Sequence, residues 1–312
     1  MHLFDLLMVM QTFTYESVWR DSQKVNWRVD DLIGPDKPLD FTKRFLPESL
    51  ARVEELTCLN PKEQLILNHI RGNSYLHLFV LVEAFIIPMV LDQVKRMGYE
   101  NIFAAQALLG FAEEEGKHIH LFQQFAKAFE QGFGSPCLCI SPPEKIAAAI
   151  LDRHPLGVLL LTLQFEWTTQ SHYLESVRNN NEDLDPRFCD LLKYHWLEEA
   201  QHTRLDTLLV CELTQVLEPS MIEQVMEDYL KAVHLLHNTL MQQAQLDLQS
   251  LEQAIGRSLS PPERDTILAG QEQAYRWGFL CAGLTHPNFI GVLGNLSPSY
   301  KTRVTELAKT WS

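Results

Sequence analysis

Two glutamates stand where a chain can least tolerate them. Leu78 to Val90 reads LFVLVEAFIIPMV, apolar throughout but for Glu83, and LGVLLLTLQFEW (156–167) is a second greasy run with Glu166 near its end. An ionised carboxylate sealed away from water costs several kcal/mol even after relaxation, so each needs a positive partner inside the fold. Downstream of each lies a Glu-x-x-His: EGKH at 115–118 and EAQH at 199–202. The spacing repeats. Glu83 to Glu115 is 32 positions and Glu166 to Glu199 is 33, while Glu115 to Glu199 and His118 to His202 are both 84. The neighbouring acids Glu113, Glu114 and Glu198 blur the register, and the offset shared by acid and histidine selects Glu115 and Glu199.

Residues three apart share a helix face, so each Glu-x-x-His can point inward as a unit. One such motif alone usually lies on a solvated face; two, each preceded by a glutamate in an apolar helix, do not arise easily by chance. A Glu from each of two helices and Glu-x-x-His from each of two others is the ligand set of ferritin-like dinuclear-metal bundles. Four carboxylates around two divalent ions sum to zero formal charge, which makes the burial of Glu83 and Glu166 tolerable. The expected ligands are Glu83, Glu115, His118, Glu166, Glu199 and His202. His195 breaks the symmetry: it lies four before Glu199 and seven before His202 in HWLEEAQH, on the same face, whereas 84 positions earlier stands Phe111. It is taken as a seventh ligand. The expected division puts Glu83, Glu115 and His118 mainly on one ion and crowds His195, Glu199 and His202 on the other. Glu166 and at least one further carboxylate would be bridging or terminal.

Only 14 glycines and 15 prolines among 312 residues leave long runs free of both. Asn60-Pro61 is a helix start, and that helix should run to Met97-Gly98 with a kink at Pro88. Further helices are expected over 102–131, in a short segment capped by Ser141, from Pro155 to before 179, from Asp185-Pro186 to about 217, and over 220–254, 261–283 and 298–310. Nothing alternates as a strand does. The fold class is all-α: one domain, a ferritin-like four-helix bundle over about 61–217 with accessory C-terminal helices over 219–312.

Composition narrows the partners. A formal charge of −14 argues against a nucleic-acid or anionic-membrane surface. No apolar run reaches membrane-span length without an acid or histidine inside it. The opening MHLFDLLMVM lacks the basic region and small-residue cleavage site of a signal peptide. The six scattered cysteines, with Cys137-Leu-Cys139 the only close pair, read as reduced thiols of a cytoplasmic protein.

In its ligand order the sequence resembles the p-aminobenzoate N-oxygenase family of non-haem di-iron oxygenases. That family's order of Glu, Glu-x-x-His, Glu, His-x-x-x-Glu-x-x-His is matched by Glu83, Glu115-x-x-His118, Glu166 and His195-x-x-x-Glu199-x-x-His202, and the resemblance covers about 75–210. It implies two iron ions that reduce O2 with electrons from an external donor and oxidise an amine nitrogen of a small molecule toward hydroxylamine or nitro. Manganese or a mixed Mn/Fe pair shares these ligands. Expected partners are the small-molecule substrate, the electron donor and a second copy of the chain as a homodimer. In the arylamine member a tyrosine and an arginine before the first glutamate hold the substrate carboxylate. Tyr75 fits the tyrosine, but five before Glu83 stands Leu78, which argues against p-aminobenzoate itself. Pocket candidates one or two turns from the ligands are Tyr75, Phe79, Phe122, Thr162 and Gln170, with the Thr162 hydroxyl expected to bond back to its own helix. Two other readings stay open: a di-iron hydroxylase or desaturase acting on a C–H bond of an acyl or carrier-tethered substrate, and ferritin-like iron storage. A tyrosyl-radical ribonucleotide reductase subunit is disfavoured because Phe122 stands four after His118, where that class has tyrosine.

Overall fold

The computed structural model describes residues 13–97 and 100–312, so the MHLFDLLMVM segment and the Gly98 end foreseen for the first long helix lie outside the described residues. Among the described residues every regular element is helical, apart from one isolated bridge between Gly34 and Lys37. Three short helices come first: α1 (Tyr15–Ser22), α2 (Val29–Leu32) and α3 (Glu48–Ala51). Then follow α4 (Pro61–Met97), α5 (Ile102–Phe133), α6 (Pro143–Leu151), α7 (Pro155–Ser171), α8 (Pro186–Gln215), α9 (Ile222–Ile255), α10 (Pro261–Tyr275), α11 (Pro287–Leu296) and α12 (Pro298–Trp311). A π-helical stretch extends α7 over His172–Val177 and another extends α10 over Arg276–Cys281.

Local chemistry sets the ends. The Asn60 side-chain oxygen accepts from the backbone N–H groups of Lys62 (3.0 Å) and Glu63 (3.1 Å), satisfying two of the first-turn donors of α4. Asn101 caps α5 in the same way, and Gly134, at φ 78°, ends it in a left-handed conformation that costs glycine little. Asp185 caps α8 through the N–H of Phe188 at 2.8 Å. Ser141, expected to cap the short connecting helix, does not. Pro143 opens α6 and Pro142 holds the N-cap position, which leaves Ser141 outside the helix.

α4 packs along α5 and α7 along α8, and contacts of α4 with α7 and of α5 with α8 close the four into a bundle. The class is all-α, as expected. α4 is long and apolar enough to cross a bilayer, yet it is the core helix of this bundle, with 67 % of its most apolar window buried by the rest of the chain. α9 lies against α4 and α7. A buried polar knot fixes α9 and α10 there: Arg71 of α4 lies 3.3 Å over the Tyr275 ring, and the Tyr275 and Ser74 hydroxyls both donate to Asp247 of α9. Burial pushes the Asp247 carboxyl up to about 6.

Candidate dinuclear metal centre

Each long helix of the bundle sends acid or imidazole into its middle. α4 supplies Glu83, α5 supplies Glu115 and His118, α7 supplies Glu166, and α8 supplies His195, Glu199 and His202; none is more than 2 % exposed. The structure thus brings all seven sequence-predicted residues together. Their ligand atoms form two groups, each with every member within 4.8 Å of the others: Glu83, His118, His195 and Glu199, and Glu115, Glu166, Glu199 and His202.

The oxygens show how the groups join. Glu199 Oε1 lies 2.7 Å from His195 Nε2 and 3.1 Å from His118 Nδ1, while its Oε2 lies 3.0 Å from His202 Nδ1. Glu115 behaves likewise, with Oε1 3.0 Å from His202 Nδ1 and Oε2 3.6 Å from His118 Nδ1. Both Glu-x-x-His glutamates therefore span the two groups. Glu83 belongs to one end, 3.5 Å from His195, and Glu166 to the other, 3.8 Å from His202. This corrects the expected division: His195 shares a position with His118 and Glu83, not with His202. The reason is helical rise. Seven residues advance α8 by about 10 Å along its axis, so His195 and His202 face opposite ends of the centre.

The donor set fits two cations. Glu83 Oε2, both Glu115 oxygens, His118 Nδ1, Glu166 Oε2, His195 Nε2 and Glu199 Oε1 are buried and, although several lie close to one another, make no hydrogen bond of good geometry, a concentration of unmet polar atoms that a native core does not carry without a reason. Protonation equilibria show the same demand for positive charge. Burial, and then the Glu199 carboxylate beside it, pushes the Glu166 carboxyl well above its usual range. Burial also disfavours ionised Glu199, but His202 and His195 outweigh it and hold that carboxyl well below. Burial opposes charge on both motif histidines, yet the surrounding carboxylates win and raise His118 and His202 well above the ordinary imidazole value.

Behind the ligands lies a second set of acids that the sequence reading treated only as register noise. His118 Nε2 donates to Glu198 at 2.9 Å, and His202 Nε2 donates to Glu114 at 2.8 Å. The carboxylate beside each motif glutamate thus holds the histidine of the other motif, which fixes the ring and leaves Nδ1 facing the centre. The signal was present: Glu114 and Glu198 are also 84 apart, as the first letters of EEGKH and EEAQH. Lys117 forms an ion pair with Glu198 and lies 4.2 Å over the Trp27 ring. Asp206, one turn beyond His202, was also missed. It is fully buried with both oxygens unpartnered, and burial raises its carboxyl well above the usual value.

The five pocket candidates separate. Phe79 and Phe122 stand edge-on to His195, with centroids 5.2 and 5.0 Å away. Tyr75 packs on Phe79 and meets His172 Nδ1 at 3.0 Å. Because His172 Nε2 donates to the Gly278 carbonyl and burial lowers the ring's pKa to about 4, the imidazole is neutral and the Tyr75 hydroxyl is the donor. Thr162 bonds back to the Val158 carbonyl, as expected. Gln170 does not join the aromatic group; it accepts from Trp196 Nε1 and lines a groove of about 480 Å³ with Trp167, Thr203 and Gly291.

No family model matches the chain, and no curated protein matches it. Among solved structures it is similar to R2-like ligand-binding oxidases. A variant with an anaerobically reconstituted Mn/Fe cofactor is 12 % identical, with a TM-score of 0.49 over 85 % of this chain and 92 % of that one. A form with an aerobically reconstituted Mn/Fe cofactor is 11 % identical, with a TM-score of 0.48 over 84 % and 91 %. A variant with an aerobically reconstituted Fe/Fe cofactor is 11 % identical, with a TM-score of 0.49 over 86 % and 93 %.

Proposed function

We propose that this chain is a non-haem di-iron oxygenase that activates O2 and N-oxygenates an amine of a small molecule. The observation that supports this most is the seven-residue centre itself, with His195 beside His118 in the order found in amine N-oxygenases. Glu83, His118 and His195 would hold one ion, Glu166 and His202 the other, and Glu115 and Glu199 would span both. Two irons held there would supply the reduction of O2 by electrons from an external donor, and manganese fits the same donors. The balance for the first step takes one amine, one O2, two electrons and two protons to one hydroxylamine and one water.

The protein's own part is shaping and exclusion. Phe79 and Phe122 wall the His195 side with hydrocarbon, which keeps bulk water away and strengthens every charge interaction inside. Glu114 and Glu198 hold the histidine rings. Leu78, 4 % exposed in the position where a carboxylate-binding arginine would stand, favours an apolar substrate body, and the same feature suits the C–H-oxidising alternative. One assay separates the readings. Iron-loaded protein, given reductant and O2 with a panel of aryl and alkyl amines, is expected to consume O2 and form hydroxylamine or nitro product. Carbon-hydroxylated or desaturated products would overturn the nitrogen assignment. Many irons retained per chain with no organic product would instead indicate storage.

A further inference from the structure

The 84-residue repeat that pairs the ligands also pairs the residues behind them, and there the two halves differ in charge. Glu198 behind His118 is neutralised by Lys117, whose ammonium is held between the Glu198 carboxylate and the Trp27 ring. Its counterpart, Glu114 behind His202, has no such partner. The position 84 after Lys117 is Gln201, a neutral amide that makes no hydrogen bond to Glu114, and among the described residues no lysine or arginine nitrogen lies within 4.0 Å of the Glu114 carboxylate. Glu199 belongs to both ligand groups, Glu115 reaches His202 at 3.0 Å and His118 at 3.6 Å, and each end has one further glutamate of its own, Glu83 or Glu166. The His118 end adds a second imidazole, His195, and a compensated acid. The His202 end has a single imidazole and an uncompensated acid, and Asp206 lies one turn beyond with both oxygens unpartnered, so this end carries at least one more net negative charge.

An extra unit of negative charge beside a buried centre, even on a partly exposed side chain such as Glu114, favours the more highly charged of two metal states. We propose that Lys117 makes the centre valence-asymmetric: when one ion is trivalent and the other divalent, the trivalent ion is the one at the Glu166–His202 end. Lys117 acts through Glu198 and His118 and is a positioning residue; it touches neither metal nor substrate. The inference rests on the dinuclear reading above and deepens it.

Its test is a potentiometric titration of the iron-loaded full chain, with the one-electron-oxidised mixed-valence form followed by electron paramagnetic resonance. Four variants join the wild type: Lys117→Gln, Lys117→Arg, Gln201→Lys and the double variant Lys117→Gln/Gln201→Lys. Lys117→Gln removes the compensation and levels the two ends. Its comproportionation constant for the mixed-valence state should fall on the order of tenfold, and its mean potential should move negative. Gln201→Lys should also lower the constant but move the mean potential positive. The double variant should recover the wild-type constant, and Lys117→Arg should retain it. Iron content is measured in each sample first. A wild type that does not bind two irons overturns the dinuclear reading and this inference together. Two irons per chain with a constant unchanged in both Lys117→Gln and Gln201→Lys overturns this inference alone.

Discussion

Laid over one another at an offset of 83 to 84 residues, the α4–α5 and α7–α8 hairpins agree at Glu83 and Glu166, Glu114 and Glu198, Glu115 and Glu199, and His118 and His202. They part at Phe111 against His195 and at Lys117 against Gln201. The shared positions are those that burying four acids demands: the acids, two imidazoles and the carboxylates that hold the rings. The divergent positions distinguish the two ends. Phe111 lies against the His202 ring, centroids 4.0 Å apart, where it adds only hydrocarbon, whereas the equivalent His195 stands edge-on to His118 at 4.6 Å and brings a nitrogen to the centre. α4 runs unbroken through Pro88, five residues past its glutamate, whereas α7 passes into the π-helical stretch that begins six residues past its own at His172. Single π-helical turns of this kind are frequent at functional sites.

The largest effect expected of this arrangement comes from removing the metals. An ion present at a hundred times its dissociation constant stabilises the fold by about 2.7 kcal/mol, so two ions contribute about 5 kcal/mol. Chelation should lower the melting temperature by about 10 °C or more in calorimetry. The hairpins are next told apart by Glu83→Leu and Glu166→Leu. Each variant should bind one iron instead of two, Glu83→Leu losing the His118–His195 end and Glu166→Leu the His202 end. Under chelation each should be more stable than wild type by about 1–4 kcal/mol, because a buried acid without its cation has gone; metal analysis and thermal melts check both.

A histidine in α7's π-helical extension, with no counterpart in α4, gives a third contrast. His172 is held neutral with its pKa lowered to about 4, against an ordinary 6.5. Between those values the unfolded chain binds the extra proton, so stability rises with pH and is lost as pH falls through the window. At about 1.36 kcal/mol per unit the effect amounts to about 3 kcal/mol. His172→Gln should make the stability curve less steep between pH 6.5 and 4 in denaturant titrations, the slope from His69, also lowered by burial to about 4, remaining. The smallest effects fall on the ring-holding acids: Glu114→Gln and Glu198→Gln should each weaken iron binding by about 10–100-fold, at the His202 and His118 ends respectively, with the fold intact by circular dichroism.

What the sequence disclosed follows from what is local. The long helices were legible because Asn60-Pro61, Pro155 and Asp185-Pro186 mark three of their starts and because their apolar runs are long and poor in glycine. The ligands were legible because the same burial problem is solved twice at one spacing. The division of those ligands was not, since it depends on which oxygen of Glu115 and Glu199 faces which ring across the bundle, a tertiary matter. α2 and α3 are four residues each, too short to show a period. α11, PNFIGVLGNL, carries two glycines that disguise it and is held by the buried side chains of Phe289 and Leu293. The Glu114–His202 and Glu198–His118 pairs were visible as a doubled Glu in each motif, but their crossing from one hairpin to the other exists only in the folded chain.

Anomalous diffraction at the iron edge from a crystal of the iron-loaded protein examines the account at its root. It should show two peaks per chain, one among Glu83, His118 and His195 and the other among Glu166 and His202, with Glu115 and Glu199 between them. A single peak, none, or iron bound only outside this group of seven side chains would contradict it.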